Sequence, residues 1–548
     1  MAGSKNDVLI FFFKVYSVLK QKIFRTYILD EAYEIGCKNG NLERIRQLIV
    51  EICDFENDCN KSINQNINLN QHTCLNLRDV NIYDSQLVTS YLMQLTSFRR
   101  ALLLASYNNS KVIFPLKKSW QNILNNNGYK TSKLLCTLLW FVFRAIYLLR
   151  STSKLLGIIS HTDENKKNNS NSSKHAIYFN DLAEQNIPRI GTIEIPKTFI
   201  SWLIKENMIE KNIKIYHSNK KIRNEKDVFQ NSYIYLNNAS NLSSNIKRRE
   251  IIGKLLTIFV FWSKDPLKRI KVFLNIPDIL EGMVVNSNLH AIKIESIIVH
   301  SSNPSLKPLW ILVLERNKIN VEYFFYAIYT EIKHISGNPP EDGLWRLAKW
   351  NKYNLIDEFQ KNEIYQKTNF RKAEFRVVGP PWWADQAIKY IPPEEKHLIL
   401  FDSYSAEGSY GLNTLNEYEW NLDSTAISYL EDVLELAQEF RIKVVHKMKR
   451  PANNFTSNIY LAKLAQLKEK YSNVYLFSVD AVAPDTAIEF SCGVICKPVS
   501  TVGIVARNLG KKVAAYNPGS TIDSDDPGLR GVGLCQSKLE LKNFISTL

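Results

Sequence analysis

The stretch at 491–518, SCGVICKPVSTVGIVARNLGKKVAAYNP, decides the fold class of this chain. An apolar run at Gly493–Cys496 is followed by a polar turn, a helical pattern at Val502–Leu509 and a second apolar run at Lys512–Tyr516. Strand, turn, helix and strand in this order form the repeating unit of parallel α/β sheets. The stretch therefore predicts a parallel sheet with helices packed on its faces.

The turn of this unit carries two hydroxyl residues where the predicted helix begins. Ser500 and Thr501 occupy the N-cap position, at which unpaired backbone N–H groups and the positive end of the helix dipole lie. Ligands of open α/β sheets bind beyond the carboxyl ends of the strands. The turn is therefore suited to a phosphate or a carboxylate.

The same alternation of strands and helices extends over the C-terminal two thirds of the chain. With 548 residues the protein is too long for a single hydrophobic core, and two or three domains are expected. The patterns predict a helical region at 1–159, a polar linker at 160–174, and α/β domains at 175–370 and 371–548. The predicted fold is two Rossmann-like domains that face a cleft, preceded by helices.

The positive charge of the chain is unevenly distributed. The formal net charge is +16, and the segment from Ser85 to Thr162 contains no Asp or Glu. That segment has ten basic residues: Arg99, Arg100, Lys111, Lys117, Lys118, Lys130, Lys133, Arg144, Arg150 and Lys154. Such a segment favours an anionic partner.

An apolar helical pattern at Lys133–Leu156 lies within this acid-free segment. Its apolar core is interrupted by Arg144, whereas a membrane-spanning helix needs ~20 apolar residues. One interpretation is a buried helix of an all-helical domain. The other is a helix that lies on an anionic membrane, with insertion of Trp140, Phe141, Phe143 and Tyr147.

Several common functional sites have no counterpart in the sequence. The eight cysteines lack metal-ligand spacing and indicate reduced thiols of a cytoplasmic protein, and the N-terminus does not resemble a signal peptide. No P-loop, GxGxxG after a strand, HExxH or GxSxG is present, which disfavours NTP hydrolysis, hydride transfer and zinc proteolysis. The sequence predicts no metal site and no resident cofactor.

Polar residues follow most predicted strands of the C-terminal domain, which begins with a strand at Phe375–Val378. Because parallel strands end at one edge, these residues should converge. The run from His446 to Arg450 would suit a diphosphate, although a solvated turn is the alternative interpretation. The candidate donor-binding residues are Asp402, His446, Lys447, Lys449, Arg450, Ser500, Thr501 and Asn517.

Three residues of the N-terminal α/β domain are candidate catalytic groups. His300 ends a predicted strand, and Glu331 and Asp357 lie just beyond strands, where each could accept a proton. The alternative interpretations are an ordinary βα turn at His300 and solvated carboxylates at the other two positions.

The C-terminal part resembles the donor domain of GT-B glycosyltransferases that build bacterial surface polysaccharides. VVHKMKRP at 444–451 is similar to their strand and basic turn for the donor phosphate, and 493–518 is similar to their donor-site unit. SSNPSLKPLWILVLERNKINVEYFFY at 301–326 resembles the acceptor-side domain of polysaccharide biosynthesis proteins. The resemblance covers about 290–545, but the His-Pro dipeptide of some relatives is absent at His446.

The resemblance implies a cytoplasmic glycosyltransferase, peripheral to the inner membrane, that moves a sugar from a nucleotide sugar to a surface-polysaccharide or lipid-linked acceptor. It implies a reaction without metal, in which cations and a helix N-terminus stabilise the leaving phosphate. The expected partners are the nucleotide sugar, a glycan or lipid-linked acceptor and an anionic membrane contacted through 85–159, with no nucleic acid. Alternatives are a polyol-phosphate transferase, a nucleotide-sugar epimerase, or a non-catalytic carbohydrate- or membrane-binding protein.

Overall fold

A computed structural model describes most of the chain from residue 41 onwards. The described residues are 41–61, 77–94, 96–160, 176–180, 198–210, 214–217, 235–238, 248–264, 269–291, 294–301, 307–325, 327, 343–368, 370, 372–380, 391–402, 405, 422–449, 452, 456–479, 482–498, 500–518 and 522–548.

A seven-stranded parallel sheet forms the first α/β domain. Its strand order is β3-β2-β1-β4-β5-β6-β7. The strands are β1 Ala176–Asn180, β2 Lys214–His217, β3 Tyr235–Asn238, β4 Ile294–Ser301, β5 Asn320–Phe325, β6 Lys352–Leu355 and β7 Glu374–Val377.

A six-stranded parallel sheet forms the second α/β domain, in the order β10-β9-β8-β11-β12-β13. The strands are β8 His397–Asp402, β9 Lys443–Met448, β10 Tyr475–Ser478, β11 Gly493–Cys496, β12 Val513–Tyr516 and β13 Gly533–Cys535. Every residue of the central strands β8 and β11 is buried, as expected where helices cover both faces of a sheet. The two sheets confirm the predicted pair of parallel α/β domains.

Helices cover these sheets and build the region before them. In the N-terminal helical region they are Asn41–Lys61, Leu77–Gln94, Thr96–Asn108, Lys118–Asn126 and Lys133–Ser160. In the first α/β domain they are Phe199–Lys205, Arg248–Ser263, Ile270–Leu274, Ile276–Ala291, Leu309–Arg316 and Glu358–Lys367, with a 3₁₀ turn at Gly343–Leu347. In the second they are Asp423–Glu439, Asn458–Lys470, Pro484–Glu489, Thr501–Asn508 and Lys538–Ser546, with a 3₁₀ turn at Pro527–Leu529.

The change from one sheet to the other comes later in the chain than the sequence suggested. The strand expected to open the C-terminal domain is β7, which pairs in parallel with β6 at the edge of the first sheet. Its pairing with a neighbour about twenty residues earlier depends on tertiary contacts that the local pattern does not contain. The chain therefore leaves the first sheet after Val377, and not at residue 371.

The helical region is packed firmly against the first α/β domain. Tyr83 and Tyr147 share one buried apolar cluster with Ile258, Ile279 and Val313 of that domain. Polar contacts join the same two parts, among them Arg316 to Asp79 at 2.7 Å. The N-terminal helices are therefore not an independent module, and their removal would expose the core beneath them.

The four aromatic side chains that would insert into a membrane are only partly exposed. Phe143 and Tyr147 are buried, so their predicted insertion into lipid is wrong, whereas Phe141 is exposed and Trp140 is half-buried. The reason is helical periodicity, because residues 143 and 147 fall on the face that packs against the protein core. Across the described ranges, no helix combines the length and hydropathy needed to cross a bilayer.

The two α/β domains are in contact beside the carboxyl end of β6. Ile356, just after β6, belongs to the same apolar cluster as Val505 and Val532 of the second domain. Next to it, Asp357 pairs with Arg530, with 2.6 Å between Oδ2 and Nε. The contact therefore joins the carboxyl end of β6 to the segment that precedes β13 in the second sheet.

Candidate functional site

The carboxyl edge of the second sheet carries most of the candidate residues, but they lie on two different faces. Along each strand, successive side chains point to opposite faces. Asp402 and His446 point to the face covered by Asp423–Glu439 and Asn458–Lys470, where the alternating neighbours Leu400 and Val444 are packed. The helix Thr501–Asn508 covers the opposite face. The predicted donor set is therefore divided by the sheet.

Asp402 is the centre of a buried polar network on the first of these faces. Its Oδ1 lies 2.9 Å from Nζ of Lys497, and its Oδ2 accepts a hydrogen bond from the Tyr460 hydroxyl and lies 3.5 Å from Nε2 of His446. The Lys497 ammonium also lies over the ring of Tyr429, 5.6 Å from its centroid. Three groups thus satisfy a carboxylate that has no exposed surface.

The charge of Asp402 is held firmly by these partners. Burial alone would raise the pKa of its carboxyl, but the ammonium of Lys497 and the hydrogen bonds from His446 and Tyr460 outweigh burial and lower that pKa well below its usual range. Asp402 is therefore a permanent anion at neutral pH. A residue with this environment anchors its neighbours and is not available as a base.

His446 extends the network towards the surface. Its Nδ1 lies 3.1 Å from the Tyr475 hydroxyl, which in turn lies 2.8 Å from the hydroxyl of Ser478. Ser478 is exposed, whereas His446 is fully buried. Polar groups therefore connect the buried carboxylate of Asp402 to solvent through the end of β10.

The basic run at 446–450 does not form a single cationic cluster among the described residues. Lys447 is buried on the other face of β9 and donates to the carbonyl of Val479 at 3.3 Å. Lys449 is exposed, and its backbone N–H donates to the carbonyl of Asp402 at 2.8 Å. Arg450 lies outside the described residues. Strand alternation separates side chains that are adjacent in the sequence.

The helix predicted after β11 begins where the sequence indicated. It spans Thr501–Asn508, with Ser500 as its N-cap in an extended backbone conformation, and the Ser500 side chain makes no capping hydrogen bond. The N–H of Gly503 donates to the carbonyl of Ser500 at 3.0 Å, whereas the N–H groups of Thr501 and Val502 have no partner within the helix. The hydroxyl and the helix start are therefore available to a ligand. By contrast, the Ser457 hydroxyl accepts from the backbone N–H of Tyr460 and caps its own helix.

Asn517 lies beside this helix start, directly after the neighbouring strand β12. The residue is 1% exposed, and among the described residues neither Nδ2 nor Oδ1 of its side chain has a hydrogen-bond partner. Strand alternation from Ala515 puts the side chain on the face covered by Thr501–Asn508. A buried amide without partners is costly and is expected where a ligand supplies the missing hydrogen bonds.

The helix start is held close to the sheet by a glycine. A Cβ atom added at Gly503 would lie 2.8 Å from Sγ of Cys496, the last residue of β11. Only glycine permits this approach of the helix to the strand. The position of the Ser500 turn is therefore fixed by packing on one side and by the Lys497–Asp402 pair on the other.

The candidate catalytic residues of the first domain have structural partners. The His300 ring stacks on Phe199 with 4.1 Å between centroids, and burial lowers the pKa of this histidine to about 3. Asp357 caps the helix Glu358–Lys367 by accepting from the backbone N–H of Gln360, and it pairs with Arg530. Glu331 lies outside the described residues. These environments favour structural roles, and the catalytic roles stay predictions.

Sequence patterns did not single out two of the residues that complete the Asp402 network. Tyr429 and Tyr460 lie on amphipathic helices, where the helical pattern predicts only that they face the core. Lys497 directly follows β11, and that position at a strand end was the one available signal. Among the described residues, no group of His, Cys, Asp and Glu side chains is arranged to hold a metal ion.

Solved structures with distant similarity include three sugar-active proteins. The UDP-GlcNAc 2-epimerase of Neisseria meningitidis, solved with UDP-GlcNAc, has 14% identity and a TM-score of 0.36, over 68% of this chain and 90% of that protein. The sucrose-phosphate synthase of Thermosynechococcus elongatus has 10% identity and a TM-score of 0.35, over 68% and 89%. The glycosyltransferase SnogD of Streptomyces nogalater has 9% identity and a TM-score of 0.29, over 68% and 91%. These similarities are weak.

The sequence itself gives a clearer result, although no curated protein matches it. Residues 261–545, just over half of the chain, match the family described as polysaccharide biosynthesis PFTS motif proteins. Two tetrapeptides in that range are close to Pro-Phe-Thr-Ser: Pro498-Val499-Ser500-Thr501 at the candidate site, and Asn454-Phe455-Thr456-Ser457. The chain belongs to the polysaccharide biosynthesis PFTS motif family.

Proposed function

We propose that this protein is a GT-B-type glycosyltransferase that moves a sugar from a nucleotide-sugar donor to a polysaccharide or lipid-linked acceptor. The observation that carries the proposal is that two groups able to bind a phosphate follow the neighbouring strands β11 and β12. The Ser500 side chain makes no capping hydrogen bond at the helix start, and the amide of Asn517 is buried without partners among the described residues. A phosphate oxygen would accept from both.

The geometry gives each group a role in the proposed reaction. A departing nucleotide diphosphate gains negative charge, and N–H groups at a helix start stabilise that charge without having to reorient. The Asp402–Lys497 pair and the close packing at Gly503 hold the turn in place, so the donors are preorganised. The proposal includes a metal-independent reaction, and it leaves the acceptor base unassigned.

Isothermal titration of the full-length protein with a panel of nucleotide sugars tests the donor site. Ser500→Ala and Asn517→Ala should each weaken binding of the nucleotide sugar by about 1.5–3 kcal/mol, the range for a hydrogen bond to a charged group. The control is Asn508→Ala, an exposed residue at the far end of the same helix. Equal affinities of folded wild-type protein and both variants would contradict the proposed site.

Product analysis separates the proposed transfer from its alternatives. Incubation of a bound nucleotide sugar with glycan or lipid-linked acceptors should release the nucleoside phosphate and extend the acceptor. An epimerised nucleotide sugar would indicate the epimerase alternative, and binding without turnover would favour a carbohydrate-binding protein. Failure to bind any nucleotide in the panel would reject all nucleotide-dependent functions.

A further inference from the structure

One face of the helix Lys133–Ser160 is apolar and exposed. Leu134 is 81% exposed, Leu138 57%, Phe141 66% and Leu149 71%, and Val142 is also exposed. Their spacing of three, four or seven residues aligns them along one side of the helix. We call these five residues the apolar stripe. A contiguous exposed apolar surface of this kind marks an interaction site.

The orientation of the apolar stripe is fixed by the opposite face of the same helix. Cys136, Phe143 and Tyr147 are buried there, in the clusters that join the helical region to the first α/β domain. Arg144 donates to Asp84 at 2.9 Å, and the Tyr147 hydroxyl donates to Asp278 at 3.1 Å. The helix therefore cannot rotate to bury the stripe without breaking this packing.

A second helix in the same layer has a similar surface. On Arg248–Ser263 the exposed apolar residues are Ile252, Leu256, Phe259 and Val260, again on one side of the helix. Both helices pack against Ile276–Ala291. Because two helices that pack on the same third helix each leave an apolar face exposed, the exposure is not confined to a single helix.

We propose that the apolar stripe is the surface by which the protein lies on an anionic lipid bilayer. The charge around it selects this occupant. Lys111, Lys118, Lys130 and Lys133 are exposed near the start of the helix, and the sequence from Ser85 to Thr162 contains no carboxylate. Leucine and phenylalanine insert into the boundary of the acyl chains, while nearby lysines meet anionic headgroups. The exposed stripe has no hydrogen-bonding side chain to specify a protein partner.

The proposal does not depend on the donor site. Leu138 and Phe141 are on the helical region, whereas Ser500 and Asn517 are on the second α/β domain. Nucleotide binding and lipid binding can therefore fail separately. Point substitutions are the appropriate probes, because a deletion of the helical region would uncover Ile258, Ile279 and Val313.

Vesicle flotation of the full-length protein tests whether the apolar stripe binds an anionic bilayer. The protein should float with vesicles of phosphatidylcholine and phosphatidylglycerol, and much less with phosphatidylcholine alone. Added salt should weaken flotation without abolishing it, because screening acts on the lysines and not on insertion. Leu138→Glu combined with Phe141→Glu should lower the partition coefficient about tenfold or more, since two inserted side chains are lost.

The matched control is Leu539→Glu on the helix Lys538–Ser546, where the leucine is 68% exposed. It should float like the wild-type protein, and all variants should keep the wild-type melting temperature. Equal flotation of the double variant and the wild type would overturn the proposal. A change in oligomeric state of the double variant, with unchanged flotation, would assign the stripe to a second copy of the chain and would also overturn it.

Discussion

The ammonium of Lys497 lies 2.9 Å from the carboxylate of Asp402, and both side chains are buried between a parallel sheet and its helices. Asp402 ends β8 and Lys497 follows β11, which are neighbouring strands. The pair therefore fixes the first residue of the turn that leads to Ser500. In a buried pair, each charge is tolerated only because the other is present.

Replacement of Lys497 should be strongly destabilising. Lys497→Met leaves the Asp402 carboxylate buried without its main partner, and the expected loss of unfolding free energy is about 3–5 kcal/mol. Urea denaturation measures it. The control is Lys443→Met, which removes a partly exposed ion pair with Glu395 and should cost at most about 1 kcal/mol. Similar losses for the two variants would show that the buried pair has no special importance.

His300 should make stability depend on pH. Burial lowers the pKa of folded His300 to about 3, whereas an unfolded histidine has a pKa of about 6.5. Between these values the unfolded chain binds more protons, so the contribution of His300 is fully present above about pH 6.5 and is lost as the pH falls towards 3. Urea denaturation at several pH values from 7 to 4 gives the free energy of unfolding of the wild-type protein and of His300→Phe. This free energy should fall less steeply with decreasing pH in the variant. An identical pH dependence of the free energy of unfolding in the two proteins would contradict the lowered pKa of His300.

The close approach at Gly503 predicts a pairwise rescue. Gly503→Ala puts a methyl group 2.8 Å from Sγ of Cys496 and should cost about 1–3 kcal/mol, the range for overpacking. Cys496→Ala removes the sulfur that the methyl group would meet. The double variant should therefore be more stable than the sum of the two single losses predicts. A double-mutant cycle by thermal denaturation measures this coupling, and strict additivity would speak against the contact.

The ion pair between Asp357 and Arg530 should stabilise the contact of the two α/β domains. Asp357→Asn keeps a good N-cap for the helix Glu358–Lys367 but removes the charge opposite a guanidinium that is 4% exposed. The expected loss is about 1–3 kcal/mol, with a larger radius of gyration in X-ray scattering as the domains separate. Asp357→Ala also removes the N-cap, so it should lower the free energy of unfolding more than Asp357→Asn does. Its radius of gyration should equal that of Asp357→Asn.

The sequence alone determined the parts of the fold that depend on local pattern. The strand, turn, helix and strand at 493–516 were predicted nearly to the residue, because four-residue apolar runs and a hydroxyl N-cap are local signals. β3, with the sequence Tyr-Leu-Asn-Asn, carries no such signal and is held at the sheet edge by β2. The helix Ile276–Ala291 was also not anticipated.

Which side chains meet depends on the long-range packing of the chain. Asp402, His446 and Lys497 lie at the ends of three strands up to about a hundred residues apart, and their network depends on strand order and on which face each side chain takes. For the same reason Lys447 separates from His446, and Tyr147 lies in a buried cluster with Ile258 instead of inserting into lipid. Periodicity fixes the face of an element, but long-range packing decides whether that face is covered by protein or left to a partner.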